Sequence, residues 1–200
     1  MQTINLKIVI GSTRPGRISG RVAKWVESEA RAAEGARAAV IDLADFNMPF
    51  MNEPISPRYN PSRELDPQVA RWLAELSKGD AYVFVTPEYN HSVPGVLKNA
   101  LDFVTSELSR KPATVVAHGT VGGARATMHL KEILSESGAA VLPKAVALPG
   151  AAQVIDEQGQ LAAAEAAKPY GPKTALSATL DELLWYGRAL KTARNDQDQN

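Results

Sequence analysis

The residues best suited to chemistry lie in a loop that follows an apolar run and precedes a helical pattern. The loop runs from Gly11 to Arg17 and combines two glycines, two hydroxyl side chains and two arginines. Free N–H groups at the start of a helix, hydroxyl donors and guanidinium groups all favour a phosphate. The alternative is an ordinary strand-to-helix turn with solvated arginines. The phosphate candidates are Ser12, Thr13, Arg14, Arg17 and Ser19.

The first loop differs from the two best-known phosphate loops. It lacks the Gly-Lys-Ser/Thr ending of a Walker loop and the Gly-x-Gly-x-x-Gly spacing of a dinucleotide loop. A mononucleotide phosphate therefore fits this loop better than a triphosphate or a dinucleotide does.

A second loop, from Thr86 to Gly95, has residues suited to a flat ring. Tyr89 offers an aromatic face, and neighbouring amide and hydroxyl groups offer hydrogen bonds. Pro87 and Pro94 restrict the backbone, so that the N–H groups between them can be held in place. This surface suits a heteroaromatic ring, although each proline also fits a simple turn.

A third loop, His118 to Gly123, also follows a strand-like run and precedes a helix. Its glycines provide backbone donors with little side-chain bulk, which suits the pyrimidine edge of the same ring. Each loop alone also fits an ordinary turn. Three such loops at one edge of a sheet favour a binding site over three unrelated turns. Together they predict a flavin mononucleotide (FMN) site and a redox function.

Strand-like runs alternate with helical patterns along the chain, and each of the three loops lies between a predicted strand and a predicted helix. The nearly continuous apolar runs indicate a parallel sheet covered on both faces, and five β-α units predict a three-layer α/β/α sandwich. Its ligand crevice lies at the carboxyl ends of the strands. The predicted strands are Ile4 to Ile10, Ala38 to Leu43, Ala81 to Thr86, Thr114 to Ala117 and Val141 to Val146. The helical spacings are Ile18 to Ala30, Val69 to Leu76, Val93 to Val104, Leu130 to Leu134 and about Thr174 to Leu190.

Composition limits the other functions. Residues 1–200, with 44% hydrophobic content, predict one domain. The formal net charge is zero, so we expect no nucleic-acid partner. No signal peptide or 18-residue apolar run is evident, so we expect a soluble, cytoplasmic protein without membrane contact. Without cysteines, and with three isolated histidines, no metal site is expected and redox chemistry must come from a bound cofactor.

Two stretches interrupt the alternation, and a polar tail follows it. Asn47 to Pro67 is too long for a turn and predicts either a functional flap or a subunit contact. Ala151 to Pro172 contains a turn at Asp156 to Gly159 and an alanine-rich piece that can form a short helix. This second segment can close over the site of a neighbouring subunit. The polar tail from Thr192 to Asn200 is expected to be frayed.

At motif level the chain resembles the NADPH-dependent FMN reductase family, which contains flavodoxin-like quinone, azo-dye and flavin reductases. The resemblance covers about Ile4 to Pro143 and rests on Gly11 to Arg17, on Pro87 to Asp102 and on Gly122 to Ala126. It implies a five-stranded parallel sheet of flavodoxin-like order 2-1-3-4-5. It also implies a homodimer or a homotetramer with active sites near the subunit contacts.

The resemblance also implies roles for individual residues. The FMN phosphate would be surrounded by Ser12, Arg14, Arg17, Ser19 and Gly20. The flavin ring would be lined by Pro87, Glu88, Tyr89, Asn90 and Ser92, and its pyrimidine end would be bordered by His118, Gly119, Gly122 and Gly123. For His91 and His118, proton delivery remains open beside a structural or ring-contacting role, whereas His129 is expected to be only a surface or packing residue.

The implied activity is a two-step redox reaction. A hydride passes from NADPH or NADH to N5 of FMN, and two electrons then pass to a quinone, an azo compound, a metal oxyanion or a free flavin. The main alternative is a non-enzymatic flavodoxin-like electron carrier, but carriers need a strong charge field for docking and this chain is neutral. A second alternative is an oligomer that has kept the fold and lost the cofactor.

Overall fold

The centre of the protein is a parallel sheet of six strands, as seen in a computed structural model that describes residues 2–197. The strand order is β2-β1-β3-β4-β5, and β6 also pairs with β4. This confirms the predicted parallel sheet and its 2-1-3-4-5 order, with one strand more than expected. The strands are β1 Ile4–Ile10, β2 Ala36–Asp42, β3 Ala81–Pro87, β4 Pro112–Gly119, β5 Ala140–Val141 and β6 Val146–Pro149.

Helices cover both faces of the sheet, which confirms the three-layer sandwich. The helices are α1 Ser19–Ala32, α2 Pro67–Ser77, α3 Gly95–Asp102, α4 Ala124–Glu136, α5 Ala151–Val154, α6 Ala163–Ala166 and α7 Pro172–Gln197. Helices α1, α5 and α7 pack on one face, and α2, α3 and α4 pack on the other. The start of α2 shows how sequence sets a boundary, because the Asp66 carboxylate accepts a 2.7 Å bond from Gln68 N and proline occupies the first helical position.

Alternation along the strands divides the core between the two faces. In β3 all seven residues are buried. Val83 and Val85 face α1 and α7, whereas Tyr82 and Phe84 face the layer of α2 to α4. Side chains of successive strand residues point to opposite faces, so a strand covered on both sides must be apolar throughout. The continuous apolar runs of the sequence therefore indicated the sheet correctly.

The predicted fifth strand, Val141 to Val146, is two strands, and that prediction was wrong. From Ala113 to Val116, β4 advances three residues, while its neighbour advances five, from Val141 to Val146. Pro143 lies in the extra stretch and has no N–H to donate to a ladder. The carbonyl of Lys144 accepts instead from Thr114 Oγ1 at 2.9 Å. The pairing is thus interrupted and resumes as β6.

Helix α7 extends further than the sequence predicts. Fraying was expected from Thr192, but the helix continues to Gln197, and the remaining residues of that predicted tail, 198–200, lie outside the described part of the chain. Lys191 Nζ lies 2.8 Å from the Asp80 carboxylate, and Arg194 donates to the Arg110 carbonyl at 2.7 Å. These bonds tie the last turns of α7 to the amino-terminal edge of the sheet.

The 47–67 segment follows an extended path with one 3-10 turn at Pro57–Tyr59. The Asn99 amide on α3 holds it, because Oδ1 accepts from Met51 N and Nδ2 donates to Pro49 O, each at 2.8 Å. Arg63 donates to the Phe103 carbonyl, also at 2.8 Å. The segment is therefore fixed to α3 of its own chain along part of its length.

The 151–172 segment forms a hairpin-like turn and the predicted short helix, α6. Ile155 pairs with Leu161, and the Asp156 carboxylate accepts from the backbone N–H of Gln158 and of Gln160 at 3.0 and 2.8 Å. Glu157 contacts α1 through Arg21, 3.2 Å away. The turn thus rests on α1 of its own chain. Within residues 2–197, no helix has both the length and the apolar character needed to cross a membrane.

We expect Asp80→Asn to reduce the free energy of unfolding by about 1–2 kcal/mol, because Asp80 holds Lys191 and Arg194 in a largely buried position. Urea denaturation measures the change. The matched control is Asp102→Asn, which removes an exposed partner of Lys98 and should cost less than about 0.5 kcal/mol. Equal losses in the two variants would show that the α7 anchor is no stronger than a surface pair.

Candidate functional site

Three loops meet at the carboxyl edge of the sheet. They follow β1, β3 and β4, which are neighbours in the sheet, so the sequence-predicted loops come together. The first two are joined directly, since Gly11 N donates to the Val85 carbonyl at 2.8 Å. A Cβ on Gly11 would lie 2.7 Å from the Leu97 side chain, which explains the glycine at this crossing.

The start of α1 has the properties of an anion site. Ile18 precedes the helix and has no side-chain oxygen to cap the first N–H groups, and no acidic residue lies in the first turn. A Cβ on Gly20 would meet no heavy atom within 4 Å, so the space beside this turn is open. The free N–H groups and the positive end of the helix dipole therefore suit a phosphate dianion.

Two hydroxyls predicted to contact a phosphate are buried and bonded to other loops. Ser12 Oγ lies 3.0 Å from Tyr89 Oη, and Ser19 Oγ lies 2.9 Å from His118 Nε2. Both serines have no exposed surface. Each therefore joins the first loop or the start of α1 to a neighbouring loop, whereas the Thr13 side chain is partly exposed.

The two arginines of the first loop are held differently. Arg17 forms an ion pair with Asp42, whose other oxygen accepts from Ala44 N at 3.0 Å. Asp42 thus caps the turn that follows β2, and its charge offsets that of Arg17. Arg14 is more exposed and lies over the Tyr89 ring, 5.8 Å from its centroid. Arg14 is therefore the better placed of the two for an incoming phosphate.

The second loop makes a tight turn whose tip is exposed. Tyr89 and Ser92 exchange two backbone hydrogen bonds of 3.0 Å. Between them, Asn90 and His91 have φ angles of 48° and 69°. Positive φ at both central residues is the type I′ arrangement, which asparagine tolerates better than most residues do. The turn fixes Tyr89 and Ser92 on either side of the tip.

Glu88, predicted to line the ring, directs its carboxylate to α4. Its oxygens accept from the guanidinium of Arg125, with Nε at 2.7 Å, and from the backbone N–H groups of Arg125 and Ala126. These hydrogen bonds, above all those of the guanidinium, hold the pKa of Glu88 below its usual value. The side chain is thus an ionised link between the second loop and α4.

The third loop depends on glycine where the backbone passes closest to its neighbours. Gly122 and Gly123 have φ angles of +83° and +76°. A Cβ on Gly123 would lie 2.7 Å from that of Ala117, and one on Gly119 would lie 3.4 Å from Glu88 Cβ. The loop therefore presents backbone with little side-chain bulk, as the sequence predicts.

His118 lies beneath the first turn of α1 and is 6% exposed. Burial lowers its pKa to about 4, so the imidazole is neutral near pH 7. A neutral, buried ring bonded to Ser19 favours the structural alternative over proton delivery. His91, in contrast, is exposed at the tip of the turn.

Sequence reasoning missed two residues of α4 that contact the second loop. Arg125 was seen only as part of a motif, and His129 was expected to be a surface or packing residue. His129 Nδ1 lies 3.0 Å from Ser92 Oγ, and Arg125 binds Glu88. The i, i+4 spacing of the two residues was the available signal, since it places both on one face of a helix. Which loop that face meets cannot be read from spacing alone.

The strand order defines a flavodoxin-like α/β/α protein, and the three loops meet at the carboxyl edge of its sheet, where proteins of this architecture bind their ligands. The sequence profile of the NADPH-dependent FMN reductase family matches residues 4–153. The chain belongs to this family, as its motifs indicated.

Two curated relatives are similar over most of their length. An NAD(P)H-dependent FMN reductase of Nectria sp is 33% identical over 193 residues, which is 89% of this chain and 94% of the relative. A quinone reductase of Escherichia coli (strain K12) is 32% identical over 161 residues, covering 76% of this chain and 80% of the relative.

Solved structures support the fold. A flavoenzyme NAD(P)H:acceptor oxidoreductase of Paracoccus denitrificans superposes with a TM-score of 0.72 at 22% identity, covering 94% of this chain and 98% of that one. An archaeal flavodoxin superposes with a TM-score of 0.57 at 12% identity, covering 92% and 99%. At these identities the likeness concerns the fold alone.

We expect His118 to make folding stability fall as the pH is lowered from about 6.5 to about 4. In the unfolded chain the imidazole takes up a proton near its ordinary pKa of 6.5, while the folded protein excludes that proton until about pH 4. Between pH 7.5 and pH 5, urea titrations should show a loss of about 2 kcal/mol in the parent that is missing in His118→Gln. Identical pH slopes in the two proteins would contradict a neutral, buried His118.

Proposed function

We propose that this protein is an FMN-dependent NAD(P)H oxidoreductase that passes two electrons to small-molecule acceptors. The observation that carries the proposal is the start of α1, which offers uncapped N–H groups and an exposed Arg14 to a phosphate. Membership of the NADPH-dependent FMN reductase family supports the phosphate of FMN as the anion that would bind there. Quinones, azo compounds, metal oxyanions and free flavins are the acceptor classes we consider.

The three loops divide the binding of FMN between them. The N–H groups of α1, with Thr13 and Arg14, would hold the phosphate, and Gly16 and Gly20 leave room beside them. The turn formed by Tyr89 to Ser92 would contact the ring, and the glycine loop would offer N–H groups to its pyrimidine end. Bound FMN would supply the redox chemistry, which is acceptance of a hydride from reduced nicotinamide and donation of two electrons to the acceptor.

The residues of the protein would orient the flavin ring, and none of them is needed as a dedicated acid or base. The rigid turn and the glycine loop are held in place before any ligand arrives, so little ordering remains for the bound state. His91 is an exposed side chain at the tip of the turn, where solvent reaches it. The buried imidazole of His118 is committed to Ser19.

The electron-carrier alternative is not favoured. The relatives described above are named as reductases, and the chain has a formal net charge of zero, which gives no field for docking a redox partner. The uncapped start of α1 argues against the cofactor-free alternative. In a protein that binds no anion, we would expect a side chain of the protein itself to accept hydrogen bonds from these first N–H groups.

We also propose that the chain acts as a single FMN-binding domain and forms a homodimer or a homotetramer. An apolar cavity of about 370 Å³ beside Thr13 is lined in part by Phe46, Met48 and Phe50, and Phe50 is 83% exposed. A large exposed aromatic side chain next to such a cavity is typical of a contact surface.

We place the protein in the cytoplasm, where reduced pyridine nucleotides are available to it.

The proposed activity is tested by anaerobic absorbance spectra of the protein reconstituted with FMN. Stoichiometric NADPH or NADH should bleach the oxidised flavin band rapidly, and the faster donor identifies the preferred coenzyme. Tight FMN binding without bleaching would instead support the electron carrier. Failure to bind FMN would leave the family membership as a statement about fold only.

We expect Arg14→Ala to raise the dissociation constant of FMN about tenfold without unfolding the protein, because one charge-assisted contact to the phosphate is lost from an exposed position. Fluorescence titration with FMN and with riboflavin separates the phosphate from the ring, since riboflavin, which has no phosphate, should not bind more weakly. The control Arg31→Ala removes an exposed arginine near the far end of α1. Unchanged FMN binding in Arg14→Ala would refute the phosphate assignment.

For the oligomer, light scattering coupled to size exclusion should give two or four times the chain mass of 21.4 kDa. Phe50→Asp should shift the population toward 21.4 kDa, because it places a charge on an apolar contact. Trp185→Asp, on an exposed aromatic residue of α7, is the control. A parent that elutes as a monomer would exclude the oligomer.

A further inference from the structure

We propose that Glu88 and Arg125 form a positioning pair for the flavin ring and that the Glu88 side chain is not itself a ring ligand. The pair fixes the 89–92 turn against the first turn of α4, and so sets the surface on which the ring lies. The inference rests on the proposed FMN site, and it assigns a role to Arg125, which neither the sequence motifs nor the family membership supplies.

The Glu88 carboxylate is fully engaged with α4. Oε1 accepts from Arg125 Nε at 2.7 Å and from its Nη2, while Oε2 accepts from Arg125 N at 3.0 Å and from Ala126 N at 3.4 Å. The Glu88 side chain is 6% exposed, whereas that of Arg125 is 45% exposed. A carboxylate with these donors has little capacity left for a ligand.

The same carboxylate caps α4. Gly123 precedes the helix and has no side chain that can accept from the first N–H groups. Glu88 reaches them from another loop and places a negative charge at the positive end of the helix dipole. A cap donated across loops fixes the distance between them, which a local cap cannot do.

The second loop is held to its neighbours at both ends. The backbone N–H of Glu88 donates to the His118 carbonyl at 2.9 Å, and beyond the turn Ser92 Oγ lies 3.0 Å from His129 Nδ1. His129 is one helical turn beyond Arg125, on the same face of α4. The turn at Asn90 and His91 therefore projects from a base fixed to α4, and the position of that base depends on the Glu88 carboxylate.

A positioning role and a direct contact with the ring predict different results. If Glu88 acts through Arg125 and α4, removing either side chain should weaken ring binding, and removing both should add nothing further. If the Glu88 carboxylate touches the ring, Arg125 should matter little. In both cases the phosphate contacts remain intact.

The test uses Glu88→Gln, Arg125→Gln and the double variant, titrated with riboflavin and with FMN. For Glu88→Gln we expect both dissociation constants to rise by the same factor of about ten, because the hydrogen bonds to a charged group are lost. For Arg125→Gln we expect a factor of about three, since the backbone cap remains. The double variant should match Glu88→Gln within about twofold. Arg31→Gln, which breaks the exposed Glu27–Arg31 pair on α1, is the control and should change neither constant.

Amide hydrogen exchange of the protein without flavin gives a readout that does not depend on activity. In Glu88→Gln, the N–H groups of Arg125 and Ala126 should exchange about five to ten times faster than in the parent. Faster exchange with unchanged riboflavin binding would reduce Glu88 to a helix cap and overturn the proposal. If Glu88→Gln weakened riboflavin binding while Arg125→Gln left it unchanged, the proposal would be overturned in favour of a direct contact between Glu88 and the ring. A parent that binds neither flavin would refute the proposed function itself, which is a different result.

Discussion

The site depends on the hydrogen bonds of one buried residue, His118. Its imidazole bonds Ser19 at the start of α1 at 2.9 Å, and its carbonyl accepts from the backbone N–H of Glu88, also at 2.9 Å. These bonds connect the end of β4 with the loops that follow β1 and β3. Three parallel strands bring their loops to one edge, but strand order alone leaves the loops free to shift. The His118 bonds, together with the Gly11–Val85 and Ser12–Tyr89 bonds, reduce that freedom, and the imidazole forms its bond in a buried position.

Helices α1 and α4 both begin at this edge with N–H groups that have no partner within their own helix. The two helices differ in what lies against these groups. Helix α4 receives the carboxylate of Glu88 at its first N–H groups. Helix α1 has neither an acidic residue in its first turn nor a side chain able to cap it. Uncapped N–H groups at a helix start attract anions. At this edge, α4 is therefore a structural support whose first N–H groups are occupied, whereas the first N–H groups of α1 are available to a ligand.

The sequence predicted the features set by local pattern and left out those set by distant partners. Apolar runs identified the core of each long strand, and glycine and proline spacing located the loops. The division of the fifth strand depends on Pro143 and on the bond from Thr114 to Lys144. The links from Glu88 to Arg125 and from Ser19 to His118 join residues 37 and 99 positions apart. No local periodicity encodes such pairs, because they arise only when the sheet has brought its loops together.

The first and second loops are physically linked through Tyr89. Tyr89 bonds Ser12 through its hydroxyl, while Arg14 lies over its ring at 5.8 Å. The side chain that offers an aromatic face in the second loop is thus held by two residues of the first. An Arg14 that turns toward a phosphate would uncover one face of Tyr89. Binding of a phosphate at the first loop would therefore change the surface that the second loop offers to a ring. A mononucleotide that carries both a phosphate and a ring would then bind more tightly than the separate affinities of the two groups suggest.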